Sequence, residues 1–134
     1  MMIASGAAAL DFWMTNDELR RAFAGVTIAG HYTDGRTFRE SYFKGHRLKY
    51  TEETRDLHQV GHWSIINGTF CTIYDLSPTG GCFRVHRHGG NCFEFYFLTR
   101  TEAQARQSKT GEPSWAARAW RVDQPATCDE KPVA

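Results

Sequence analysis

Two histidines and a cysteine lie close together in the stretch GGCFRVHRHGGNCFEFYF, residues 80–97. In a β-strand, His86 and His88 place both imidazoles on one side, because alternate residues share a face. Imidazole and thiolate suit zinc, copper or haem iron, so His86, His88 and Cys92 are the candidate ligands for metal or haem. The stretch has no Cys-x-x-Cys and no fourth ligand at a recognised spacing. This spacing favours the solvated outer face of a β-hairpin instead, and we expect no metal and no other cofactor.

Glu40 is the single residue whose placement has the largest chemical consequence. It lies between Phe38 and Tyr42 with a spacing of two, so all three share a face if the segment is a strand. A carboxylate on an apolar face needs a cation or hydrogen-bond donors, or it becomes neutral through a raised pKa. The candidate partners are Arg118 or Arg121, a tyrosine hydroxyl, or a ligand. We favour a structural glutamate–arginine pair over a ligand contact.

The four cysteines have a structural explanation. Cys71 and Cys82 face each other if the two strands that carry them are neighbours, and facing strand positions fall within disulfide reach. Cys92 and Cys128 form a second pair if the C-terminal tail folds back. Oxidised cysteines favour a periplasmic or secreted protein over a cytoplasmic one, and free thiols in the cytosol are the alternative.

Motifs for catalysis are lacking. The chain contains no Gly-x-Ser-x-Gly, no phosphate-binding loop and no His-Glu-x-x-His. A nucleophile built from Cys92 and His86 has no visible third group to orient the base. We therefore expect that the protein is not an enzyme and has no catalytic residues.

Composition describes the protein that must position these groups. With 134 residues the chain forms one domain that is large enough to bury a core. Aromatic residues make up 13% of it, which favours strands around a shared apolar centre. A net charge of +1 gives no electrostatic basis for nucleic-acid binding. No apolar run approaches the roughly 18 residues of a membrane span.

One short helix is predicted before the strands begin. Thr15 and Glu18 have the spacing of a capping box, which satisfies backbone donors at a helix start. Gly25 is a typical residue to follow a helix end. These features predict a helix over 15–24.

Turn-forming pairs at regular spacing then divide the chain into strands. The pattern predicts an antiparallel meander of about eight strands that closes into a mainly β barrel. The candidate strands are 26–32, 36–43, 46–52, 57–66, 69–75, 82–88, 92–99 and 114–122. We expect 1–14 to be a loose N-terminal arm or a signal-peptide remnant, 15–122 the barrel domain, and 123–134 a polar tail.

Strand register is predicted from the turn length that keeps each face consistent. Asn67-Gly68 fits a two-residue turn, and Asp34-Gly35 fits a three-residue loop, which places Glu40 opposite Ile28. A three-residue loop in the 82–99 hairpin opposes Phe83 to Phe95, Arg84 to Glu94 and His86 to Cys92. In that register the outer, solvated face is Cys82, Arg84, His86, His88, Cys92, Glu94 and Tyr96.

A family resemblance supports the barrel. Gly61-His62-Trp63 resembles the Gly-x-Trp of lipocalin-type (calycin-like) barrels, and Arg118 and Arg121 lie on a late strand where such barrels often place an arginine. The chain also resembles small bacterial barrel proteins of unassigned function, with the pattern GxW…NG…C…CF.V.R.G. The resemblance covers roughly residues 15–100 and implies a small lipocalin-like meander barrel.

Three functions follow from this architecture. The first is a non-catalytic barrel that binds a small apolar or aromatic ligand in its interior. The predicted lining is Glu40, Tyr42, Trp63, Tyr74 and Trp120. The second is an interaction or homodimerisation module whose barrel is filled by its own rings. The third is metal or haem binding through the histidine-bearing stretch.

Overall fold

Eight antiparallel strands form a closed barrel in the computed structural model, which describes residues 11–76, 79–107 and 113–129. Each strand pairs with the next one along the chain, and the last strand pairs with the first. The strands are β1 Thr27–Tyr32, β2 Thr37–Tyr42, β3 Arg47–Glu52, β4 Leu57–Ile66, β5 Thr69–Tyr74, β6 Gly80–Arg87, β7 Phe93–Phe97 and β8 Ala117–Arg121. The predicted fold class is therefore confirmed.

Most of the predicted register is also confirmed. Ile66 faces Thr69 across the Asn67-Gly68 turn, and both turn residues have the positive φ values, 48° and 75°, that a type I′ turn requires. Ile28 faces Glu40 across β1 and β2. The alternation of rings and polar residues along each strand set these pairings, because a slip of one residue would expose the core face.

The register of the β6–β7 hairpin differs from the prediction. Phe83 faces Phe97 rather than Phe95, and the loop consists of residues 89–91 rather than 88–90. The physical reason is Asn91, which is only 2% exposed. The two hydrogens of its side-chain Nδ2 are shared among the carbonyl oxygens of Arg121, Gln124 and Pro125, which lie 3.0–3.2 Å away. These contacts hold Asn91 in the loop. Because the shift leaves each side chain on its predicted face, the apolar face of the hairpin still points inward.

Helix α1, Asn16–Phe23, closes one end of the barrel. The predicted capping box is present: the Glu18 amide donates to Thr15 Oγ1 at 3.2 Å, and the Thr15 amide donates to Glu18 Oε1 at 2.9 Å. Leu19 and Phe23 are fully buried, and the Phe23 ring packs against the rings of Tyr42, Phe70, Phe93 and Phe95. The helix therefore fills this end of the interior with side chains.

A second apolar cluster covers the outside of β7. It contains Phe12, Tyr96, Ala105 and Trp115, with Ala105 supplied by helix α2, Glu102–Gln107. The predicted solvated outer face is thus wrong for this strand, because these side chains cover it and leave Glu94 and Tyr96 buried.

The N-terminal segment that covers β7 lies inside the predicted loose arm. The Met14 amide donates to the Val85 carbonyl at 2.8 Å, and both Phe12 and Met14 are buried. The ends of the predicted arm and tail, residues 1–10 and 130–134, lie outside the described residues. No helix in the described ranges has the length and apolar character needed to cross a membrane.

Both expected disulfides are present. Cys71 is bonded to Cys82 across β5 and β6, with their Cα atoms 4.0 Å apart. Cys92 is bonded to Cys128, so the chain after β8 is covalently attached to the start of β7. The second bond encloses the longer loop, with a sequence separation of 36 against 11.

Candidate ligand-binding cavity

The barrel interior contains a cavity of about 630 Å³. It lies at the end opposite α1, because its wall includes the β1–β2 turn, the start of β6 and the chain beyond β7. We call this the open end, and its rim carries Thr33, Asp34, Arg36, Arg100 and Pro113. The interior is thus filled by rings near the helix and hollow toward the open end.

The cavity wall is mostly apolar and aromatic. It combines side chains from six strands, β1, β2, β5, β6, β7 and β8, with residues that precede β8. The apolar lining is Ile28, Phe38, Phe70, Phe83, Phe95, Phe97, Trp115, Ala116 and Ala117. Such a wall, interrupted by a few polar groups, is typical of small-molecule sites.

Glu40 is the buried carboxylate in this wall, and it is only 6% exposed. The Tyr42 hydroxyl donates to Glu40 Oε1 at 2.5 Å, and the Tyr74 hydroxyl donates to Oε2 at 2.5 Å. Among the residues that the structure describes, no arginine, lysine or histidine forms an ion pair with Glu40. The carboxylate is therefore held by two neutral donors alone.

The favoured glutamate–arginine pair is wrong. Arg121, at the end of β8, pairs with a neighbouring aspartate instead. Ala117 and Ala119 face the interior from this strand, so Arg118 lies on its opposite face by alternation. Arg118 pairs there with Glu94 at 2.9 Å. The two alanine side chains are small, so β8 leaves open volume beside the cavity and places no charged group there.

The surroundings of Glu40 change its acidity. Burial raises the pKa of Glu40 from 4.5 to about 7, although the hydrogen bonds from Tyr42 and Tyr74 oppose this rise. Burial and the nearby carboxylate also raise the pKa of both tyrosines, so their hydroxyls remain neutral donors. The site can therefore hold or release a proton at Glu40 near neutral pH.

A second group of tyrosine and carboxylate lies next to the open end. The Tyr50 hydroxyl donates its hydrogen to Glu52 Oε2 at 2.6 Å. The Tyr32 hydroxyl lies 2.6 Å from the Tyr50 hydroxyl and therefore donates to the Tyr50 oxygen. Glu52 accepts hydrogen bonds from Arg55, which lower the pKa of this carboxyl. Unlike Glu40, this buried carboxylate has a cationic partner.

Sequence reasoning missed this second group, although a signal was present. Tyr50-x-Glu52 places a carboxylate and a ring on one strand face, as Glu40-x-Tyr42 does. Tyr32, the remaining member of the group, lines the cavity.

Of the five predicted lining residues, the structure brings three together. Glu40, Tyr42 and Tyr74 line the cavity. Trp63 lies in the filled part of the core, where its indole N–H donates to the Phe43 carbonyl at 2.9 Å. Trp120 lies on the outer face of β8, with its ring 6.2 Å from that of His31.

The three candidate metal ligands have other contacts. His86 stacks on the Phe12 ring with centroids 3.8 Å apart, and its Nδ1 lies 2.9 Å from the Phe12 carbonyl oxygen. Cys92 is in a disulfide and offers no thiolate, and His88 is buried. Within the described ranges, no three histidine, cysteine, aspartate or glutamate side chains are arranged to hold a metal ion.

Comparison with known proteins adds no further constraint. No protein-family model, no curated protein and no solved structure matches this chain. The geometry of the cavity therefore carries the functional argument.

Proposed function

We propose that this protein is a non-catalytic, lipocalin-like barrel that binds a small apolar or aromatic ligand in its interior. The observation that carries the proposal is the cavity of about 630 Å³ at the open end. Ligand pockets generally occupy about 300–1,000 Å³. The hollow therefore has the volume of a small-molecule site, and its wall supplies rings for contact and Glu40 for orientation.

The location of the hollow also supports ligand binding over the alternative of a barrel filled by its own side chains. Helix α1 and its ring contacts already supply a packed core at one end. An interaction or dimerisation module needs no further interior space, and an unfilled apolar volume costs stability. A large cavity beside a buried carboxylate is typical of a ligand-binding site.

The two disulfides are compatible with an oxidising compartment outside the cytoplasm. We therefore extend the proposal to a periplasmic or secreted binding protein. In that setting a barrel of this kind would sequester or carry a small molecule.

A pair of neighbouring substitutions on β5 tests the proposal. Thr72 lines the cavity, whereas Ile73 points outward and is 52% exposed. We expect Thr72→Phe to weaken binding of the neutral fluorescent probe N-phenyl-1-naphthylamine by at least about tenfold, because the new ring occupies the probe's volume. Ile73→Phe adds a similar ring on the other face and is expected to leave the affinity unchanged.

The outcome is read as the dissociation constant from a fluorescence titration. Equal affinity in the two variants and the unsubstituted protein would place the probe elsewhere on the surface. A protein that shows no saturable binding of this or any other small apolar probe would contradict the proposal altogether.

A further inference from the structure

Glu40 has hydrogen-bonding capacity that the protein leaves unused. An ionised carboxylate offers about four acceptor sites on its two oxygens. Tyr42 and Tyr74 occupy one site on each oxygen, and no other described residue donates to Glu40. The carboxylate lines the cavity, so the remaining sites are available to a molecule inside it.

Within the described part of the chain, the charged and titratable groups around Glu40 supply no compensating cation. From β1, β3 and β5 the hydroxyls of Tyr32, Tyr50 and Tyr74 lie on its side of the barrel, together with Tyr42 from its own strand. Apart from Glu40, the described charged residues in the cavity wall are Asp34, Arg36 and Arg100, all at the rim. Arg36 is paired with Asp34 at 2.8 Å and lies 3.7 Å from Glu52.

We propose that the natural ligand is an apolar or aromatic amine whose protonated nitrogen pairs with Glu40. This inference rests on the proposed function. A buried charge is stable only when it is paired, and the described residues supply hydrogen bonds but no opposite charge at this position. An ammonium group inside the cavity completes the pair.

The aromatic wall is a second, independent reason. Cations are attracted to the faces of aromatic rings, most strongly where water is excluded. Rings of Phe38, Tyr42, Phe70, Tyr74 and Phe95 line the cavity together with the carboxylate. They favour an ammonium group over a neutral polar group of the same size.

A carboxylic-acid ligand fits this interior poorly. Its anionic head beside Glu40 would bring two like charges together in an apolar site, which disfavours ionisation of both. Arg100 at the rim offers such a ligand one cationic contact, but only outside the apolar part of the cavity. Acid binding at the rim is therefore the rival outcome that an experiment must separate.

Three ligands with one skeleton separate these possibilities. We use 2-(1-naphthyl)ethylamine, 2-(1-naphthyl)ethanol and 1-naphthylacetic acid, with dissociation constants measured by calorimetry at pH 8. We expect the amine to bind about 10-fold to 100-fold more tightly than the alcohol, the usual effect of a charged hydrogen bond. Tighter binding of the alcohol or the acid overturns the amine inference and leaves the proposed function intact. If none of the three ligands binds, both the amine inference and the proposed function are overturned.

The pH dependence supplies a signature that simple apolar binding lacks. With a Glu40 pKa of about 7, the ionised fraction rises from about 1% at pH 5 to about 90% at pH 8. An aliphatic amine stays protonated over this range, so its affinity is expected to rise by up to roughly 90-fold. The affinity of the alcohol is expected to change little.

Glu40→Gln tests the pairing directly, with Glu53→Gln as the matched surface change. In Glu40→Gln we expect the amine to lose its preference over the alcohol and its pH dependence. Retained binding of the alcohol shows that the variant is folded with an open cavity. Glu53 is exposed and lies outside the cavity wall, so Glu53→Gln is expected to keep both properties. An amine preference that survives Glu40→Gln overturns the inference.

Discussion

Replacement of Glu40 by glutamine is expected to stabilise the protein at neutral and alkaline pH. The folded protein keeps Glu40 protonated up to a pKa of about 7, whereas the unfolded chain releases that proton near 4.5. Between these values the folded state binds more protons than the unfolded state, so the free energy of unfolding falls as pH rises. Glutamine removes this dependence because it does not ionise.

The magnitude follows from the same two values. Each tenfold difference in proton affinity between the folded and unfolded states corresponds to about 1.4 kcal/mol. The difference between 4.5 and about 7 therefore gives about 3 kcal/mol of destabilisation in the ligand-free protein above pH 8. At pH 4 the carboxyl is largely neutral in both states, so Glu40→Gln and the unsubstituted protein are expected to have similar stability.

The assay is urea unfolding followed by tryptophan fluorescence at intervals from pH 4 to pH 8, with the disulfides intact. The free energy of unfolding of Glu40→Gln, relative to the unsubstituted protein, is expected to rise by about 3 kcal/mol across this range. Glu53→Gln, the same chemical change on the surface, is expected to give a flat difference. A Glu40→Gln difference that is constant with pH, or that falls as pH rises, would refute the reasoning.

Two further predictions concern the buried carboxylate Glu52 and the two disulfide bonds. Glu52→Gln is expected to destabilise the protein at pH 7 by about 1–3 kcal/mol, because Glu52 is a buried, arginine-paired carboxylate with a lowered pKa. This stability is present above the ordinary pKa of 4.5 and lost as pH falls, which urea unfolding from pH 7 to pH 3 checks, and a pH-independent effect would contradict it. Serine replacement of Cys92 and Cys128 is expected to lower the free energy of unfolding by about 4 kcal/mol, against about 3 kcal/mol for Cys71 and Cys82, because the Cys92–Cys128 bond closes the longer loop. The reverse order in urea midpoints would contradict the loop-entropy argument.

The barrel could be predicted from the sequence because its signals are local. Asn67-Gly68 specifies a tight turn, and the alternation on both sides of it permits one register only. Once that hairpin is placed, Cys71 and Cys82 become neighbours across the next strand pair. Local turn chemistry and alternation therefore sufficed for the fold and for one disulfide.

The remaining features depend on contacts between distant segments. Asn91 decides the β6–β7 register through carbonyl groups at the end of β8 and just after it, 30 to 34 residues along the chain. The partners of Glu40 depended on which face of β8 points inward, and Ala117 and Ala119 take those positions. The covering of β7 depends on Phe12, whose neighbours have no periodic pattern. Such tertiary contacts cannot be read from turn residues or alternation.

The most direct measurement of the central claim is a crystal structure of the protein with 2-(1-naphthyl)ethylamine at pH 8. Our account predicts the naphthyl group among the rings of the interior cavity, with its nitrogen within about 3 Å of a Glu40 carboxylate oxygen. An empty interior, or a ligand bound only at the rim or on the outer surface, would contradict it.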